Sequence, residues 1–178
     1  MKTAFVDVDS QLDFLYPAGA LYVPGAERIV PAIGKLNRFA AAHGIPVIST
    51  ADAHAENDPE FSHWPPHCVD GTWGQRKPQA TLLEGAQQIL VEKQTVDVFQ
   101  APNFRRVIET LGAEQFVVYG VVTEICVLFA ARGLLKLGHS VTIVTDAVKE
   151  LSQTASRESL DELCAAGAKL ATVTEVTG

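Results

Sequence analysis

The run His43-Gly44-Ile45-Pro46-Val47-Ile48 carries the end of an apolar helical stretch through a glycine into β-rich residues. Three further stretches repeat the step. They are Leu111-Gly112 before Phe116-Val117-Val118-Tyr119, Leu137-Gly138 before Val141-Thr142-Ile143-Val144, and Ala166-Gly167 before Leu170-Ala171-Thr172-Val173. A glycine just past a helix supplies the left-handed cap, and the run behind it reads as a buried strand. Ala4 to Val8 and Ile89 to Glu92 complete a set of six strands. The runs are apolar on consecutive residues instead of alternate ones, which suits a sheet covered on both faces. Strands alternating with helices imply parallel βαβ units. The expected fold is therefore α/β, a doubly wound six-stranded parallel sheet with helices on both faces, a Rossmann-type three-layer sandwich.

A chain of 178 residues, 47% hydrophobic and 20% charged, suits one soluble globular domain over 1–178. No linker or low-complexity segment divides it. The net charge of −7 repels nucleic-acid phosphate, so nucleic acid is not an expected partner. No apolar run reaches the length of a membrane span. Asp7 and Asp9 follow too soon after Met1-Lys2-Thr3 for a signal-peptide core. The three cysteines, at 68, 126 and 164, are odd in number and far apart. They do not form a disulfide framework, and a reducing, cytoplasmic location is expected.

Open parallel sheets bind ligands beyond the carboxyl ends of their strands. Asp7 and Asp9 follow the first strand, Asp52 and His54 the second, Lys93 the third, Thr123 to Cys126 the fourth, and Asp146 the fifth. An acid, a metal-type pair, a base and a thiol thus arrive at one sheet edge. Cys126 falls between the strand Phe116 to Val122 and the expected helix Ile125 to Leu137. The helix dipole there would lower its pKa, and free N–H groups of the same turn would face a developing oxyanion. Packing suffices to explain Cys164, among Leu160, Leu163 and Ala166, and Cys68 in its loop. A carboxylate and a lysine near the thiol would serve as proton acceptor and as stabilising charge. Asp7 and Asp9 are both candidates for that carboxylate, and periodicity does not choose between them.

The long irregular stretch Asp52 to Ala80 holds four of the nine prolines and three of the five histidines. Such a loop is usually functional. Asp52, His54, Glu60 and His67 form a metal candidate, with His63 an alternative ligand. Carboxylate with imidazole suits zinc, iron or manganese. His43 and His139 read as surface residues.

Together these residues resemble the nicotinamidase (pyrazinamidase) branch of the isochorismatase-like cysteine hydrolases. Asp9-Ser10-Gln11-Leu12-Asp13-Phe14 matches the family's D-x-Q-x-D-F opening, which favours Asp9 over Asp7. Gly120 to Val127 matches the nucleophile turn, and Lys93 falls where the family keeps its lysine. Trp64-Pro65-Pro66-His67-Cys68-Val69-Asp70-Gly71-Thr72 is similar to the loop of nicotinamidases in particular.

The resemblance implies a cysteine amidohydrolase that converts nicotinamide to nicotinic acid and ammonia through a thioester, a step of NAD salvage. Asp9, Lys93 and Cys126 would be catalytic, and the backbone N–H groups of Val122 and Cys126 the oxyanion hole. One divalent metal ion, zinc first, would hold the pyridine nitrogen, with Phe14 and Trp64 sandwiching the ring. A cis peptide is implied at Val121-Val122. Glu60 departs from relatives that carry histidine there, Ile125 from those with a polar or aromatic residue, and the short segment between Lys93 and Asn103 leaves that pocket wall undefined. Relatives are often dimers or tetramers, and no residue pattern here fixes a number. The rivals are an amidase for ureido, carbamoyl or maleamate-type substrates, a metal hydrolase in which Cys126 is only packed, and a phospho-acceptor receiver domain built on Asp7, Asp9, Asp52 and Lys93.

Overall fold

In the computed structural model, which describes residues 1–84 and 88–178, the four repeated steps turn at glycines of positive φ. The angles are 66° at Gly44, 58° at Gly112, 85° at Gly138 and 103° at Gly167. Each lets the chain leave a helix and enter the sheet at once. The strands are β1 (Thr3–Val8), β2 (Val47–Asp52), β3 (Gln88–Lys93), β4 (Gln115–Val121), β5 (Ser140–Lys149) and β6 (Lys169–Ala171). All pair in parallel, in the order β3-β2-β1-β4-β5-β6. The helices are α1 (Leu12–Leu15), α2 (Val30–Ala42), α3 (Phe104–Leu111), α4 (Leu128–Lys136), α5 (Gln153–Ala165) and α6 (Val173–Thr177). Helix α2 packs against α6, and α4 against α5, so that helical layers flank the sheet. Ala4, Phe5, Val6 and Val8 of the central strand are buried, as the consecutive apolar pattern requires. No helix among the described residues is long and apolar enough to cross a membrane.

The strand order reverses between β1 and β4, and the crevice beyond their carboxyl ends is where such sheets bind ligands. Gly120 lets the two strands close up there. Its φ is 118°, and a Cβ on it would stand 2.0 Å from the carbonyl oxygen of Val8. The order differs from the 2-1-3-4-5 of receiver domains, which removes that rival.

Four expectations need correction. Asp146 does not follow a strand. A register shift between Val118 and Gly120 lets β5 continue along β4 to Lys149, and the exposed Asp146 accepts the Val173 N–H at 2.7 Å, capping α6. The last strand stops at Ala171, because Thr172 and Glu175 form a capping box that starts α6; the T-x-x-E spacing is readable in the sequence. Cys164 is exposed on α5, while Leu163 beside it is buried. The expected helix from Ile125 to Leu137 begins as a wide π turn, Thr123–Val127, in which the Val127 N–H bonds the Val122 carbonyl at 3.1 Å, and only then becomes α4.

Candidate active site

Asp9 is the first residue after β1, in a left-handed backbone conformation with φ 47°. Its N–H donates to Thr50 Oγ1 at 3.1 Å, and the Thr50 hydroxyl donates to Asp9 Oδ1 at 2.6 Å. Both bonds turn the carboxylate across the end of β2. Lys93 ends β3 and is 1% exposed. Its Nζ lies 2.9 Å from Asp9 Oδ2, hydrogen-bonds Asp52 Oδ1, and stands 3.8 Å from Cys126 Sγ. The half-buried Cys126 comes from the π turn after β4. Four strand ends thus bring Asp9, Asp52, Lys93 and Cys126 around one ammonium. The Val121-Val122 peptide just before the turn is cis.

Burial pushes the Asp9 carboxyl up against the pull of Lys93, and the charge of Asp52 adds to the rise. Burial also opposes the Lys93 charge, yet Asp9, Cys126 and Asp52 around it hold its ammonium well above the ordinary value. Burial pushes the Cys126 thiol up as well, with Lys93 pulling it down and the two carboxylates raising it further. The expected lowering of that thiol by a helix dipole is therefore overruled by burial and neighbouring negative charge. What results is a protonated thiol beside a carboxylate of raised proton affinity, a fitting donor and acceptor for one proton.

On its other side Asp52 faces the histidines. Its Oδ2 lies 3.8 Å from His54 Nε2 and 3.6 Å from His67 Nε2. His67 Nδ1 is 2.7 Å from the Pro65 carbonyl, an acceptor only, so in the neutral ring Nδ1 carries the proton and Nε2 a lone pair. The ligand atoms of Asp52, His54 and His67 all lie within 4.8 Å of one another. His54 is fully buried, and its Nε2 has no hydrogen-bond partner among the described residues. An orphaned buried nitrogen next to a carboxylate and a second lone-pair nitrogen fits a divalent cation. Glu60 belongs to a different set, with His54 and Asp58; burial and then Asp52 push its carboxyl up. His63 is exposed and hydrogen-bonded to Ser62, outside both sets. His43 is exposed, and His139 packs edge-on to Phe116.

Several residues of the site carried no assigned role in the sequence. Asp58 Oδ2 lies 3.1 Å from His54 Nδ1, while its Oδ1 accepts the Glu60 N–H at 2.9 Å. Its spacing of four from His54 is the one available signal. Gln11 clamps the Asp52 peptide, donating to its carbonyl at 2.8 Å and accepting its N–H at 2.7 Å. Thr50 gives no local signal, since threonine is common in strands. A narrow cleft opens beside the cluster, and Cys126, Asp52, Glu60 and His67 are among the residues that line it. Phe14 and Trp64 both line it, and Val96 supplies the wall that the sequence left undefined between Lys93 and Asn103. Leu21, Val23, Val122, Ile125 and Leu151 supply the other apolar walls.

Residues 3–175 match the isochorismatase domain family. The chain belongs to that family. Members are amide-hydrolysing enzymes, and this one is a hydrolase of that kind. It is 27% identical to the nicotinamidase of Escherichia coli K12 over 97% of this chain and 95% of the relative. Among solved structures, the pyrazinamidase of Pyrococcus horikoshii in complex with zinc superposes with a TM-score of 0.89 at 28% identity, covering 97% of this chain and 99% of that one. The N-carbamoylsarcosine amidase of Thermoplasma acidophilum superposes with a TM-score of 0.88 at 25% identity, covering both chains completely.

Proposed function

We propose that the chain hydrolyses nicotinamide to nicotinic acid and ammonia through a thioester on Cys126. The observation that carries this reading is the grouping of Asp9, Lys93 and Cys126 under an apolar cleft whose wall holds Asp52 and His67. Asp9 accepts the thiol proton as Sγ bonds the carboxamide carbon. Lys93 balances the charge of the forming thiolate and holds the Asp9 carboxylate in place. The N–H groups of Val122 and Cys126 receive the oxyanion. Asp9 then returns the proton to nitrogen as the C–N bond breaks, and ammonia leaves. A water that gives its proton to Asp9 attacks the thioester carbon, the C–S bond breaks, and the thiol recovers that proton.

Asp52, His54 and His67 would hold one divalent ion, with Glu60 beside them and Asp58 orienting His54. The donor set suits zinc, with iron or manganese as alternatives. When bound, such an ion supplies an open coordination position for a ring nitrogen. Phe14 and Trp64 would flank the ring, and the aliphatic walls would exclude water from it.

The likeness to an N-carbamoylsarcosine amidase supports a second reading, hydrolysis of a carbamoyl amino acid. That substrate bears a carboxylate. Among the described residues no arginine or lysine lines the cleft, whereas Asp52 and Glu60 do, so an anion would meet repulsion there. Ammonia release from nicotinamide, pyrazinamide, N-carbamoylsarcosine, maleamate and a ureido acid, with and without chelator, separates the readings. Turnover of the two aromatic amides, with KM raised by chelator, is expected. Hydrolysis of an anionic substrate at a rate indifferent to chelator, with nicotinamide inert, would overturn the proposal.

A further inference from the structure

A second lysine lies buried close to Asp9, on the opposite side of its strand. Lys77 is 9% exposed; its Nζ donates to Ser10 Oγ at 2.9 Å and stands 3.4 Å from Asp7 Oδ2. Asp7 Oδ2 already accepts from Ser49 Oγ at 3.1 Å and from Asn37 Nδ2 at 3.4 Å. Burying an ammonium is costly, and an ion pair of this kind is weak evidence of a stabilising purpose. Among the described residues, Lys77 alone hydrogen-bonds the side chain of Ser10, the residue directly after Asp9.

The turn at 9–11 needs such restraint. Asp9 holds a φ of 47°, in the left-handed region that aspartate visits more readily than most residues with a Cβ but still at a cost. Thr50 fixes Asp9 from the β2 side, and the Gln11 N–H bonds the Asp9 carbonyl at 2.7 Å. The segment that carries Lys77 closes the remaining side. The Arg76 carbonyl accepts the Leu12 N–H at 2.8 Å, the Gly74 carbonyl accepts the Asp13 N–H at 3.0 Å, and the Gln75 carbonyl accepts Gln11 Nε2 at 2.7 Å. Asp13 in turn accepts the N–H of Cys68, next to His67, at 2.7 Å. The turn bearing Asp9 and the loop bearing His67 are thereby one hydrogen-bonded unit.

We propose that Lys77 is a positioning residue for Asp9: its ammonium, anchored on Asp7, grips Ser10 and so fixes the left-handed turn that aims the Asp9 carboxylate at Lys93 and Cys126. The inference rests on the proton-transfer role given to Asp9 above. It extends that role to a lysine that touches neither cleft nor thiol.

Ser10→Ala is the decisive variant, because it removes the grip and leaves the Asp7–Lys77 pair intact. A positioning role predicts a fall in kcat for nicotinamide of roughly tenfold with KM nearly unchanged, since a small misplacement of a catalytic group is costly. It also predicts slower alkylation of Cys126 by iodoacetamide, because the base that takes the thiol proton is no longer aimed. Lys77→Met alone strands a buried carboxylate and risks misfolding. The double variant Asp7→Asn/Lys77→Met removes both charges and is expected to fold with the same loss of kcat. Wild-type kcat and alkylation rate in Ser10→Ala would overturn the proposal, as would a folded double variant of full activity. Asp9→Asn, measured alongside, keeps the two ideas apart. An inactive Asp9→Asn beside a fully active Ser10→Ala defeats the positioning role alone, whereas an active Asp9→Asn defeats the base assignment on which it rests.

Discussion

Two buried aspartate–lysine pairs lie at the end of β1, one on the Thr50 side of β2 and one on the Ser49 side, and they share residue types but little else. Asp9 and Lys93 lie 2.9 Å apart beneath an open cleft, with the Cys126 thiol 3.8 Å from the ammonium. Asp7 and Lys77 lie 3.4 Å apart among Asn37, Ser49 and Ser10, and Asn37 passes on to the Tyr119 hydroxyl. The named partners of the second pair are amide and hydroxyl groups, with no thiol and no open cleft beside them among the described residues. In the first, the ammonium is shared by two carboxylates, more negative charge than one cation neutralises, and it also reaches a thiol. The difference teaches that burial of an ion pair does not mark a reactive site. A reactive neighbour and an open approach do.

The comparison breaks if the thiol is dispensable. Cys126→Ala is expected to lower kcat by at least roughly 10⁴-fold while circular dichroism and metal content stay as in wild type. Cys164→Ala, an exposed position on α5, is expected to change neither activity nor melting temperature. Asp9→Asn keeps shape and loses basicity, and a drop in kcat of about 10²–10⁴-fold is expected. The metal side sharpens the picture through binding instead of rate. Asp58→Asn is expected to weaken metal affinity about 10–100-fold, read by competition with a chromogenic chelator, because His54 loses the carboxylate on its Nδ1. His54→Ala is expected to lower metal content further and to raise KM for nicotinamide. Asp7→Asn closes the series. Leaving the Lys77 charge unpaired is expected to cost about 3 kcal/mol of stability, read from denaturant melts, with kcat changed severalfold at most. An inactive but stable Asp7→Asn beside an active Asp9→Asn would exchange the roles of the two pairs.

Much of this was legible in the sequence because the fold writes itself locally. A helix, a glycine and a β-rich run are neighbours in the chain, so four of the six strands announced themselves. The carboxyl-end rule then put Asp9, Asp52, Lys93 and Cys126 at one edge, and the structure brings those side chains together. Asp146 failed the same rule, because strand length depends on pairing with β4, which no local pattern reports. Lys77 gave no signal because its partners Asp7 and Ser10 are some seventy residues distant in the chain. Val96, Leu21 and Leu151 are ordinary apolar residues, and only the folded cleft distinguishes them from core. The Asp7 and Asp9 ambiguity was real: residues two apart share a face of a regular strand, and here the left-handed backbone of Asp9 just past β1, the hydrogen bond from Thr50 and the reach of Lys93 tie Asp9 to the thiol side.

The central claim is that Asp9 and Lys93 serve a nucleophilic Cys126. Intact-protein mass spectrometry of enzyme acid-quenched during turnover of nicotinamide tests it most directly. The account predicts a fraction of chain heavier by one nicotinoyl group, mapped by peptide digestion to Cys126 and absent from Cys126→Ala. Sustained ammonia release by the Cys126→Ala variant, with no acyl adduct on the wild-type chain, would contradict it.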